Sequence, residues 1–394
     1  VQPFFAFDGC HLGPCCLTRL AMGQRQATEV ATSITACLVD FDHPGVEVDY
    51  AADNIRFVGE RAAILCAFKQ FLARCKACGV QINEIDESDY EDEEALGALV
   101  VDKYDYLGER FCHADFTQQS TDKTMAKLRA SWAARRTWSR RAVMVHFGVL
   151  LYASSTMRVD LAGRFVAMRW MARMAQELQC NPALWSSTNL VHVPATVMKE
   201  LSSWTELVLA NKPVPIPTYT ESKASLLICV DASAWGWAAV CVDLTTGQTQ
   251  IHRQRWPPGS AVSSSVITES TGIFAAVCRF VAPSFGGTVT VLTDHAPFAA
   301  AHARGYAKAW AYNDVLRRMR ARFAATFVIR HISGVLNPVD GISRGQAPVE
   351  HANETGRKAV ALALQLDARP STATFGQPLG RSVAWKRGQQ AVVI

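Results

Sequence analysis

No uninterrupted apolar run in this chain approaches the roughly 18 residues of a membrane-spanning helix, so no helical span is expected. No basic-then-apolar leader follows the opening valine, and the chain is expected to be a piece of a longer product. The 12 cysteines lack the repeating framework that staples small secreted domains, which points to reduced thiols in an intracellular protein, nuclear or cytoplasmic. Cys75 and Cys78 have the spacing of half a zinc site, but no second pair stands at ligand spacing, and two ordinary helix residues is the preferred reading. What is present is a globular composition, 49% hydrophobic and 19% charged, over 394 residues, enough for two or three domains.

The net charge of +5 hides a division. Residues 1–120 hold 9 Lys and Arg against 20 Asp and Glu, net −11, and the remainder holds 31 against 15, net +16. A polyanion is therefore expected on the carboxyl-terminal two thirds. The acidic run Asp86–Glu94 reads as an exposed loop, because like charges repel when packed together.

Residues 1–115 mix short strands with one helix near Ala62–Ala77, and the run EVDYAADNIRFVG reads as a hairpin. Residues 116–220 turn helical, with Val143, Phe147 and Leu150 or Leu151 on one face. Arg135, Arg136, Arg140 and Arg141 give this segment a basic, nucleic-acid-binding surface, while Trp132 and Trp138 are read first as core. Asn211–Pro217, with three prolines, reads as a stiff linker. Residues 221–346 then run through three strands, a helix, a strand, helices, a strand and a short helix, a mixed sheet with flanking helices. Residues 347–394 carry no assignment.

Two strands in this last region end alike: Leu226–Asp231 and Val289–Asp294 each bring a carboxylate to the end of an apolar run. Neighbouring strands of this kind would set two like charges close together, a costly arrangement unless a cation neutralises it. Glu269, near the start of an apolar-faced helix, approaches from the side, and Asp340, after the Gly334–Pro338 turn, closes the cluster. The four acids lie 38, 25 and 46 residues apart, so only a fold can unite them. Such a set suits two divalent ions about 4 Å apart, one activating water and the other stabilising the leaving 3′ oxygen. Magnesium fits an oxygen-only site, with manganese as the alternative. His331, nine residues before Asp340, suits proton transfer or product release.

Val230-Asp231-Ala232-Ser233 with Gly236, Thr268-Glu269, Thr293-Asp294-His295 and the segment His331–Arg344 resemble the ribonuclease H domain of retroelement reverse transcriptases. The resemblance implies metal binding by Asp231, Glu269, Asp294 and Asp340, and hydrolysis of the RNA strand of an RNA–DNA hybrid, told from DNA by its 2′-hydroxyls. With that in view, residues 1–115 resemble part of a reverse transcriptase palm and residues 116–220 a thumb and connection. Leu20–Gln24 looks like a template-contacting segment that includes Gln24, Ala51–Ile55 like a metal-binding hairpin, and Tyr106-Leu107-Gly108 like the strand after it. The expected architecture is thus multidomain, α/β and α+β, and primer-template nucleic acid joins the hybrid as an expected partner.

Two features depart from the polymerase pattern. The preferred register puts Asp53 and then Asn54 where two aspartates are usual; a competing register starting at Tyr50 puts Ala52 at the first. Asparagine coordinates through oxygen but brings no charge, so metal binding weakens. The earlier aspartate and the fingers are expected to lie outside this chain, which is therefore not expected to extend a primer. The combination of Asp53–Phe57, the Trp- and Arg-rich helical region and the terminal nuclease looks more like the tyrosine-recombinase retroelements, the VIPER type included, than like ordinary retroviruses. The alternative account is a degenerate or domesticated element that binds nucleic acid without cutting it. A related DNA nuclease or integrase is a third class, against which the His331–Arg344 pattern argues.

Overall fold

The computed structural model describes residues 6–9, 13–16, 27–216, 224–257, 264–346, 351–367 and 389–394. It divides into two compact units: Val1–Ala126 with Asn211–Thr218 and Gly380–Ile394, and Lys127–Ala210 with Tyr219–Leu379. Gln24 and the segment from Leu20, together with Pro370–Leu379, lie outside the described residues.

In the first unit β1 (Ala6–Gly9) pairs with β2 (Gly13–Cys16), and α1 (Ala27–Val39) leads to the expected hairpin of β3 (Val46–Ala51) and β4 (Asn54–Gly59). Ala51 faces Asn54, which leaves Ala52 and Asp53 as the two turn residues, Ala52 at a left-handed φ of 57°. α2 (Arg61–Cys78) buries Ile64, Phe68, Phe71, Leu72 and Cys75, spaced by three and four, against Phe57 of β4. The three phenyl rings sit 5.5–6.1 Å apart, and each contributes about 2 kcal/mol by burial. Cys75 lies in this core, its thiol pushed up to about 12 by burial, and Cys78 stands exposed in the last helical turn.

The acidic run is more ordered than an open loop. Glu87–Asp89 form a helical turn, and Asp92 caps α3 (Glu93–Ala98) by accepting from the backbone N–H groups of Glu94 and Ala95. Lys69 and Lys76 of α2 pair with Glu93 and Glu87 and relieve part of the repulsion.

β5 (Lys103–Tyr106), β6 (Glu109–Cys112) and β7 (Thr117–Ser120) form an antiparallel sheet. Leu107 and Gly108, expected within a strand, are instead the turn between β5 and β6, both at positive φ. The proline-rich linker is also corrected. After α4 (Asp122–Ala133), α5 (Arg140–Thr156), α6 (Phe165–Cys180) and α7 (Ala195–Leu209), Val214–Pro215 forms β8, paired with β7 at the sheet edge, where a proline costs no ladder bond. Asn211 holds it there: its side chain accepts from Ser120 N–H and donates to Ser120 C=O, at 3.1 and 2.9 Å.

The second unit combines α5, α6, α7 and the end of α4 with a five-stranded sheet ordered β11-β10-β9-β12-β13. The strands are β9 (Leu226–Ala232), β10 (Gly236–Asp243), β11 (Thr249–Arg255), β12 (Thr288–Thr293) and β13 (Thr326–His331). β10 runs antiparallel to β9 and β11, while β12 runs parallel to β9 and β13. Alternate residues supply two cores. Ile228, Val230, Val289 and Val291 face α8 (Ser265–Phe280), α9 (Ala296–Arg304) and α10 (Trp310–Arg322), and Leu227, Cys229, Val240 and Leu292 face α11 (Asp340–Ser343) and α12 (Ala352–Asp367). Burial on both faces explains why β9 and β12 read as unbroken apolar runs. This mixed sheet flanked by helices is consistent with a ribonuclease H-like fold.

The segment that carried no assignment supplies α12 and, in the first unit, β14 (Gln390–Val393), which pairs antiparallel with β4.

Candidate metal centre

The three acids that meet arrive on different elements. Along parallel β9 and β12, Thr293 pairs with Val230, so the next residue on each strand sets Asp294 beside Asp231. Asp231 is only 3% exposed. Glu269 comes from the second turn of α8, which approaches β9 closely because Gly272, three residues on, has no side chain. A Cβ at Gly272 would lie 2.7 Å from Ala232 Cβ. Ligand oxygens of Asp231, Glu269 and Asp294 consequently fall within 4.8 Å of one another, and among the described residues no other His, Cys, Asp or Glu trio converges this way.

Burial raises the Asp231 carboxyl, with Asp294 and Asp340 adding to the rise and the Ser343 hydroxyl opposing it by donating to Oδ2. Glu269 is pushed up to about 8, first by burial and then by Asp231 and Asp294. Asp294 Oδ1 is buried with no hydrogen-bond partner, an arrangement that costs about 1–3 kcal/mol. A hard divalent cation supplies the missing partner and the missing charge, so this trio can hold one metal ion.

A pH dependence follows for the metal-free chain. Glu269 binds its proton up to about pH 8 when folded and only to about 4.5 in its ordinary state, so the folded form holds more protons between those values. Stability is therefore fully present below pH 4.5 and is lost as pH rises through 8. Discounted for partial exposure, the expected loss is on the order of 2 kcal/mol between pH 5 and 9 in EDTA, flattened by magnesium. Denaturant titrations at three pH values check it; the same slope with and without magnesium would contradict it.

Asp340 stands outside the trio. At the start of α11 its Oδ1 accepts from Arg344 Nε and Nη2 at 3.0 and 2.6 Å, a local pair four residues apart. The rest of the His331–Arg344 segment builds the wall of the site. Asn337 donates to Val230 C=O at 3.2 Å and accepts from Cys229 Sγ at 3.3 Å, pinning the loop to β9. Gly334 leaves room for Asp294: a Cβ there would lie 3.0 Å from Oδ2. Ser343 reaches Asp231 from the other side. His331, exposed at the end of β13, pairs with Thr293, one residue before Asp294.

The remaining expected residues are dispersed. Asp53 and Asn54 are exposed at the β3–β4 turn, the Asn54 amide donating to Asp53 Oδ1 at 3.3 Å. Arg136 and Arg141 are exposed, whereas Arg140 lies 3.7 Å from Glu177 and Arg135 stacks 4.8 Å from the Trp132 ring. Trp138 is core, 1% exposed.

Sequence reasoning missed a platform beside the site. Trp235, in the turn after β9, carries the guanidinium groups of Arg253 and Arg255 at 5.2 and 4.6 Å from its ring centroid. Their i, i+2 spacing on β11 was the available signal. The ring of His295, which the Thr293-Asp294-His295 motif included without a role, is hydrogen-bonded to the Tyr312 hydroxyl, and burial lowers its pKa.

No family model and no curated protein matches this chain. Among solved structures it is similar to the foamy viral protease-reverse transcriptase "dRH" bound to double-stranded DNA, with a TM-score of 0.34 and 11% identity over 83% of this chain and 53% of that one. Foamy viral protease-reverse transcriptase with double-stranded DNA gives 0.34 and 11% over 82% and 62%, and the same protein with an RNA/DNA hybrid gives 0.32 and 11% over 82% and 40%. The chain thus spans about half the length of these structures. A likeness this distant assigns no role to any residue.

Proposed function

We propose that residues 221–346 form a metal-dependent nuclease that hydrolyses the RNA strand of an RNA–DNA hybrid. In this reading residues 1–115 and 116–220 are the palm and the thumb or connection of an incomplete RNA-directed polymerase, of the tyrosine-recombinase retroelement group. The convergence of Asp231, Glu269 and Asp294 at one end of two adjacent parallel strands carries the proposal. Two divalent ions, when bound, lower the pKa of the attacking water and stabilise the leaving 3′ oxygen. Asp231, Glu269 and Asp294 would hold one ion, and Asp340, which here accepts from Arg344, would have to exchange that partner to contribute to a second. Ser343 orients Asp231, Asn337 fixes the loop, and His331 moves a proton at the open edge of the site. The test is a labelled hybrid in magnesium beside double-stranded DNA: cleavage confined to the RNA strand and stopped by EDTA is expected, and an uncut hybrid would refute the reading.

Trp235 holds the Arg253 and Arg255 guanidinium groups over its ring, a basic surface offered to the substrate. Trp235→Ala is expected to raise KM about fivefold with kcat within twofold, since a cation–π contact that positions a guanidinium is worth about 0.5–1 kcal/mol. Steady-state kinetics on the hybrid check it; an unchanged KM would remove Trp235 from the substrate surface.

A second reading, nucleic-acid binding without cleavage, is favoured by Arg344 occupying Asp340 and by Asn54 standing where a second aspartate is usual. Salt-sensitive, metal-independent binding without cutting would select it. On either reading the purified chain is expected to leave a primed RNA template unextended.

A further inference from the structure

We propose that the second unit carries a separate phosphate-binding pocket, lined by Arg158, Asp160, Arg304, Gly305 and Arg320, with a volume of about 290 Å³. Arg158 and Asp160 follow α5, Arg304 and Gly305 end α9, and Arg320 lies in the last turn of α10. Arg320 is ion-paired with Asp160, whose Oδ1 also accepts from Ala162 N–H at 3.0 Å. Arg158 and Arg304 are exposed and have no carboxylate partner among the described residues. His302 adds no charge near neutral pH, its ring being pushed down to about 4 by burial and then by Arg320. Each helix C-terminus contributes roughly half a negative charge, so three guanidinium groups against Asp160 and the ends of α5, α9 and α10 leave a small net positive charge. An anionic phosphate ester complements it, and the planar guanidinium fork matches its oxygens better than a point charge does. The volume has room for a sugar beside the phosphate.

The backbone gives a second, independent observation. α5 and α9 end in the same way, with the N–H groups of the left-handed residue and of the residue after it reaching back three and five positions: Arg158 to Ser155 and Val159 to Ser154, Gly305 to His302 and Tyr306 to Ala301. The left-handed position is filled by glycine in α9, φ 70°, and by arginine in α5, φ 53°. Glycine is the residue this position favours, so an arginine there bears strain that its charge at the pocket explains.

The test is titration of the full chain in EDTA with three probes: inorganic phosphate, adenosine 5′-monophosphate and a short RNA–DNA duplex. At least one probe is expected to bind about tenfold more weakly to Arg158→Gly and to Arg304→Ala, while Arg158→Gly melts about 2–4 °C higher because glycine relieves the turn. Loss with the mononucleotide alone identifies a free nucleotide as the ligand. A salt slope for the duplex reduced by about one per arginine removed identifies backbone phosphate. Equal binding of all three probes by wild type and both variants, or no binding by the wild type, would overturn the proposal.

Discussion

Asp231→Asn is expected to abolish hybrid cleavage in magnesium while raising the melting temperature of the metal-free chain. The two effects have one cause. Asp231 is 3% exposed and packed with Asp294 and Glu269, and burial already raises its pKa, so the charged form is the costly one in the folded state. Asparagine keeps the shape and accepts from Ser343, but it removes the charge that an ion requires. Losing a ligand shared by the reacting centre should cost about 10³-fold or more in rate, roughly 4 kcal/mol of transition-state stabilisation. In EDTA the same substitution relieves like-charge repulsion, and the melting temperature should rise by a few degrees, on the order of 1 kcal/mol. The rise that magnesium gives the wild type should shrink. Asp294→Asn should behave alike, because its buried Oδ1 has no protein donor to lose. Undiminished cleavage in both variants would sink the assigned mechanism. A lower melting temperature in EDTA would make Asp231 a structural residue.

Asp231 and Asp294 were legible because each ends a run of apolar residues, and an unbroken apolar run ending in a carboxylate is what a strand buried on both faces delivers to a sheet end. Glu269 was legible from the apolar face of its helix. Asp340 was recognisable from its motif, but a motif gives order along the chain and not competition in space. Arg344, four residues on, holds Asp340 by the ordinary geometry of a helical turn. Composition misled at Asn211–Pro217, where prolines suggested a free linker; the Asn211 amide imitates a backbone pair and makes an edge strand possible, a contact 91 residues away in sequence. α9 starts with Pro297 in its first turn, where a proline costs a helix little. α12 has ordinary helical periodicity, and what its apolar side covers, one face of the sheet over β9, β10 and β11, exists only once the sheet has formed.

Gly272→Val is expected to lower cleavage about 100-fold while leaving all three carboxylates in the chain. Glu269 reaches Asp231 only because α8 lies against β9 at a separation that a single β-carbon closes to 2.7 Å, against Ala232 Cβ. A valine cannot be absorbed by a flexible tip, since the obstructing Ala232 Cβ is fixed to the backbone, so α8 must move outward and carry Glu269 with it. A displacement near 1 Å at a reacting group costs on the order of 10²-fold, and the overpacking itself should destabilise by about 1–3 kcal/mol. Ala232→Gly removes the opposing atom, so Gly272→Ala combined with Ala232→Gly should recover most of the stability and activity that Gly272→Ala alone loses. A double-mutant cycle in melting temperature and cleavage rate measures this directly. Additive losses would mean that the helix is held off by something other than this contact, and Glu269 would then owe its place in the trio to a different part of α8.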